Sequence, residues 1–125
     1  MNTKICTSKE QSKKLIKLGI DIYTADMYWK NGVSDKYIQC FTPFVCGDYQ
    51  DGLDFDYDIP AWSLTALLDI LPLEIDMHTQ SDGNIKYYYI EYTTKKTYFA
   101  SIRYNNPLDA AFEIVCWLLE KKKLL

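Results

Sequence analysis

The sequence predicts an α+β fold, an antiparallel sheet of about four strands with helices packed on one face as a two-layer sandwich. Three observations carry this expectation. Leu73, Ile75 and Met77 alternate with Glu74, Asp76 and His78 and run on to Asp82-Gly83, the pattern of a half-buried strand entering a hairpin. Leu108, Ala111, Phe112, Val115, Leu118 and Leu119 recur at helical spacing behind Asn106-Pro107. Thr7 and Glu10 stand at the spacing of a helix capping box. A chain of 125 residues fits one domain, 1–125, and no repeat or linker divides it.

In chain order, the Thr7–Glu10 box would satisfy two free donors at a helix start, and the helix then passes Leu15, Ile16 and Leu18 to stop at Gly19. Lys9, Lys13 and Lys17 share its wet face. Thr24 to Trp29 reads as a second capped turn ended by Asn31-Gly32. Residues 36–44 are β-branched and aromatic enough for a strand, with Pro43 confining its end to an edge or bulge. Pro60 opens a short helical segment in which Leu64, Leu67, Leu68 and Leu71 fall on one face, and Pro72 stops it.

The hairpin about Asp82-Gly83 sets Leu73 opposite Tyr92, Ile75 opposite Ile90 and Met77 opposite Tyr88. One face is then apolar, and the other carries Glu74, Asp76, His78, Tyr87, Tyr89 and Glu91. For the next connection, near Thr94-Lys95-Lys96, an odd loop length keeps the apolar face unbroken. It places Tyr98, Ala100 and Ile102 there and sends Phe99, Ser101 and Arg103 to the polar face. Asn106 and Pro107 then supply the N-cap and first residue of the last helix.

Composition narrows the function. With 48% apolar, 25% charged and 15% aromatic residues, the chain is neither disordered nor low in complexity. No apolar run nears the roughly 18 residues of a membrane span. The first twenty residues scatter five lysines through helix-like sequence in place of an apolar signal core, so a cytoplasmic location is expected. Arg103 is the one arginine, which disfavours general nucleic-acid binding. Cys6, Cys40, Cys46 and Cys116 contain no C-x-x-C pair and only His78 could join them, so a zinc site is disfavoured and reduced thiols are expected. Asp48, Asp51, Asp54, Asp56 and Asp58 form a solvated acidic stretch. Aligned on Gly52 as a calcium loop, it lacks two of the essential oxygens. No cofactor is implied, for glycine-loop, nucleophile-elbow and H-E-x-x-H patterns are all absent.

A sheet face that displays Tyr87, Tyr89 and Phe99 beside Asp76, His78, Glu91 and Arg103 suits partner binding, because tyrosine buries a large ring while keeping a polar tip. These seven are the candidate binding residues, and no catalytic or metal-ligating residue is assigned. The alternatives are a small enzyme centred on His78, Asp76 and Arg103, and weak nucleic-acid binding through the N-terminal lysine stripe.

The segments Ser8-Lys9-Glu10-Gln11-Ser12-Lys13-Lys14-Leu15, Thr24-Ala25-Asp26-Met27, Pro60-Ala61-Trp62-Ser63-Leu64 and Asn106-Pro107-Leu108-Asp109-Ala110-Ala111 resemble a family of short uncharacterised proteins from gut Bacteroidales and their prophages. The resemblance spans nearly the whole chain and carries no assigned activity, so no functional residue transfers with it. It implies a mobile-element setting, in which a small cytoplasmic accessory protein works by binding a protein of the host or phage.

Overall fold

The structure, a computed structural model, describes residues 5–29, 37–39 and 59–121. Among these residues it is α+β, as the patterning predicts, with three α-helices and antiparallel strands. Those strands form two sheets of three, however, where the sequence suggested one sheet of about four.

The N-terminal part is organised by a buried polar junction. Thr7 N–H donates to the Trp62 carbonyl at 2.9 Å, and Trp62 N–H donates back to Thr7 Oγ1 at 3.1 Å. The Thr7 hydroxyl also shares a 2.7 Å hydrogen bond with that of Ser12, and Trp29 Nε1–H donates to the Thr7 carbonyl. Thr7, Ser12 and the Trp62 side chain are fully enclosed, so each polar group there needs a protein partner. Thr7 is therefore not the helix cap that its spacing suggested. The cap of α1 (Lys9–Lys17) is Ser8, whose hydroxyl accepts Gln11 N–H while Gln11 Oε1 accepts Ser8 N–H. Gly19, at φ +95°, adopts the left-handed conformation after the Leu18 C-cap, as expected.

Residues 22–29 correct the sequence reading. A single 3₁₀ turn, Ile22–Thr24, is capped by Asp21 and followed by a strand, β1 (Met27–Trp29). β1 pairs antiparallel with both β2 (Tyr37–Gln39) and β3 (Ile59–Ala61). Pro60 thus lies within a strand, and the helix that follows, α2 (Leu64–Ile70), starts three residues beyond β3. Ser63 caps it, and the Asp26 carboxylate takes both the backbone N–H and the hydroxyl of Ser63. Leu67 and Leu71 are buried, with Leu64 and Leu68 packed beside them, and the chain leaves the helix at Leu71 ahead of Pro72.

The second sheet contains β4 (Ile75–Asp82), β5 (Ile85–Thr93) and β6 (Tyr98–Ala100) in that order. Leu73 stands outside β4 and is 99% exposed. The first hairpin turns on Gly83-Asn84, one residue later than predicted, with Gly83 at φ +64°. Ile75 therefore faces Tyr92 and Met77 faces Ile90, each pairing displaced by two residues. An even displacement leaves every side chain on the predicted face.

The second hairpin differs in parity. Thr93↔Tyr98, Tyr92↔Phe99 and Glu91↔Ala100 enclose a four-residue loop, so Phe99 and Ser101 point inward and Tyr98 points outward. Phe99 stacks on Trp117 with centroids 4.6 Å apart and an interplanar angle of 7°, an aromatic pair worth about 1 kcal/mol beyond its buried area. A wholly apolar ring goes inward, and Tyr98 keeps its hydroxyl in reach of an acceptor.

Beyond Ser101 the ladder resumes at Tyr88↔Tyr104, with Tyr89 opposed by both Ile102 and Arg103. That is a β-bulge. Ile90 N–H bonds to the Ser101 hydroxyl, which donates onward to the Ile102 carbonyl, and Ile102 N–H is taken by Glu113 Oε1. Helix α3 (Pro107–Glu120) follows from Asn106, whose Oδ1 accepts Asp109 N–H. Its apolar face, centred on Ala111, Ile114, Val115 and Leu118, meets Ile90, Tyr92 and the α2 leucines in the main core. Gln11 Nε2 donates to Asp109 Oδ1 and ties α1 to the start of α3.

Replacing Thr7 by Val leaves the Trp62 N–H and the Ser12 hydroxyl buried without that partner. We predict a loss of about 2 kcal/mol in urea unfolding, against about 1 kcal/mol for Ser8→Ala. A larger loss for Ser8→Ala would show that Thr7 is not the junction described.

Candidate functional site

α3 covers one face of the second sheet, and the outer face gathers most of the candidate residues. Strand alternation and register set Asp76 opposite Glu91, His78 opposite Tyr89 and Gln80 opposite Tyr87. Arg103 reaches the same face because the bulge at Ser101 restores its parity. Phe99 does not belong there, since it is under Trp117. Ser101 is buried, and Ile102, predicted for the apolar face, is 64% exposed.

Two linked groups result. In the first, the His78 ring stacks on Tyr89 with centroids 4.8 Å apart, and its Nε2 lies 2.5 Å from Glu91 Oε1. The Tyr98 hydroxyl donates to Glu91 Oε2 at 2.6 Å. In the second, the Arg103 guanidinium lies 5.8 Å from the centre of the Tyr87 ring and donates to Gln80 Oε1 at 3.1 Å. The His78 and Glu91 side chains are 38% and 26% exposed, so this is an open surface and not an enclosed crevice.

The sequence reading missed Gln80, which simple continuation of the Glu74, Asp76, His78 alternation would have supplied. It also missed Tyr98, whose place depends on loop parity. The tyrosine hydroxyl bond holds the Glu91 carboxyl below its ordinary value, partly opposed by burial and helped by the neighbouring His78. The same bond pushes the Tyr98 hydroxyl up. A lowered carboxylate stabilises above its ordinary pKa, and that contribution is lost as pH falls through the lowered value. A raised tyrosine stabilises below its ordinary pKa and is lost as pH rises through the raised value. The pair is therefore intact between about pH 5 and pH 10.

The grouping His78, Asp76 and Arg103 does not converge. Arg103 is engaged by Gln80 and Tyr87, His78 by Glu91 and Tyr89, and the Asp76 side chain makes no hydrogen bond or ion pair among the described residues. Lys13 and Lys17 of the helix stripe and the neighbouring Lys14 are exposed, and Lys9 Nζ stands 5.6 Å from the centre of the Trp29 ring. Lys4 and the acidic stretch 48–58 lie outside the described residues, as do Cys40 and Cys46. Cys116 is buried in the core, as its apolar surroundings predict, and burial pushes its thiol up to about 11.

Among the described residues no helix is long and apolar enough to cross a membrane, and no group of three or more His, Cys, Asp or Glu side chains could hold a metal ion. No protein-family model matches the chain, and no curated protein or solved structure matches it.

Carbon-detected titration should find Glu91 below the ordinary carboxylate range in the native protein and moved upward in Tyr98→Phe; an unmoved Glu91 would break the assignment of cause. Alkylation at pH 8 should leave Cys116 unmodified until denaturant is added, and rapid modification of the native protein would contradict its burial.

Proposed function

We propose that this chain is a non-enzymatic binding protein that takes a protein partner on the outer face of its second sheet. One observation carries the reading: the face presents histidine and arginine side chains already set against tyrosine rings, with Tyr98 hydrogen-bonded to Glu91 and Arg103 to Gln80. Tyr and Arg supply most of the energy at interface centres. Side chains held in place before binding lose less conformational freedom when a partner arrives. Glu91, Asp76 and Arg103 supply charges of both signs around the rings, which favours a protein surface over a polyanion as the complement.

The sequence resemblance adds the setting. On that basis the chain is an accessory protein of a phage or other mobile element, acting in the cytoplasm on a host or phage component. The single arginine is already engaged by Tyr87 and Gln80 and none accompanies the N-terminal lysine stripe, so we do not adopt the nucleic-acid alternative.

The test is affinity capture from host lysate, followed by titration of the purified partner against wild type and a Tyr87→Ala, Tyr89→Ala double variant. Loss of two central rings should raise Kd roughly thirtyfold or more. Capture of nothing, or a partner bound equally well by both proteins, would contradict the proposal.

A further inference from the structure

Among the described residues β4 is an edge strand, and the phase of its ladder shows which backbone groups it leaves open. Thr93 N–H donates to the Glu74 carbonyl at 3.1 Å, and the register from Ile75↔Tyr92 to Asp82↔Ile85 is unbroken. Antiparallel pairs alternate between bonded and non-bonded, so Asp76, His78, Gln80 and Asp82 aim their main-chain groups at β5. Ile75, Met77, Thr79 and Ser81 aim theirs the other way. β5 agrees with this phase, because its Tyr88 and Ile90 main-chain groups bond on the β6 side.

The open edge also lacks the usual guards. Over eight residues β4 has no lysine, no proline and no bulge. Met77 on its inner side is 39% exposed.

We propose that a second copy of this chain docks on this edge, β4 against β4 antiparallel, about a two-fold axis through Met77. The axis follows from complementarity. Bonded pairs must join odd-numbered residues, which restricts the possible centres. An axis at Ile75 opposes Glu74 to Asp76, one at Asp76 opposes that carboxylate to its own copy, and one at Thr79 opposes Asp76 to Asp82. An axis at His78 opposes the ring to itself, and one at Gln80 covers only Thr79 and Ser81 on the inner side. The Met77 axis alone joins charge complementarity to apolar cover. It sets Asp76 opposite His78 of the second copy, twice by symmetry, in the closely spaced non-bonded pairs. It also sets Met77 against its own copy and Ile75 against Thr79. The two second sheets then form one six-stranded sheet, and its outer face presents the aromatic array twice.

The experiment measures mass by light scattering over a concentration series, with residue-resolved amide exchange at both ends of it. Wild type should rise from one chain of 14.6 kDa toward twice that mass. The Met77 and Thr79 amides should gain protection as it does, while Asp76 and His78 stay protected throughout. Thr79→Pro removes an amide aimed at the open edge and none from the β4–β5 ladder, so it should keep the native circular dichroism and remain at single-chain mass. Asp76→Lys should raise the dimer Kd roughly tenfold through the two symmetric pairs. Wild type fixed at single-chain mass would overturn the proposal. So would a dimer in which the Met77 and Thr79 amides exchange as fast as in the dilute protein, a result that stands even if Thr79→Pro does not fold.

Discussion

The buried hydroxyl of Ser101 decides what the second sheet shows on each of its faces. Ile90 is enclosed and its N–H must be satisfied; the Ser101 hydroxyl accepts that bond and donates its own to the Ile102 carbonyl. The strand thereby gains one residue before pairing resumes at Tyr104. Without that extra residue Phe99 and Arg103 would lie on one face. With it, Phe99 sits under Trp117 and Arg103 comes out beside Tyr87. Glu113 of α3 fixes the arrangement by accepting both the Ile102 N–H and the Tyr104 hydroxyl. Burial and that same carboxylate push the Tyr104 hydroxyl well above its ordinary value, so it stays a donor.

The other end of the molecule depends on a comparable substitution of side chain for backbone. Thr7 bonds Trp62 through both its amide and its hydroxyl, which draws the start of α1 against the link between β3 and α2. Trp62 Nε1–H is satisfied by Thr24, whose hydroxyl donates to the Asp21 carbonyl. In both places a small hydroxyl residue is enclosed because it completes a pairing that the main chain alone leaves open. The outer sheet face is free to be polar and aromatic because α3 needs only the inner one.

How far the sequence could be read follows from the range of each interaction. The cap and apolar stripe of α3 lie within a few residues of one another, and the helix stands where those local signals place it. The faces of β4 and β5 were legible for a similar reason: the turn moved by one residue, pairing moved by two, and alternation survived. Thr7 was misread as a cap because its partner, Trp62, is 55 residues away. β1 is three residues long and is defined by β2 and β3 more than by its own pattern. The β6 faces were misread because the loop before them has four residues where an odd number was expected, and the bulge beyond β6 then breaks the one-residue-per-step alternation that would place Arg103. Six of the seven candidate binding residues still share the outer face, Arg103 among them by virtue of a feature its own segment does not announce.

The parity of β6 is the claim on which the core and the candidate surface both rest, and proton–proton contacts measure it directly. A nuclear Overhauser spectrum of the native protein should contain cross-peaks from the Phe99 ring to the Trp117 ring together with cross-peaks from Arg103 to the Tyr87 ring. Contacts of the Tyr98 ring with Trp117, with Phe99 instead meeting His78 or Glu91, would contradict it.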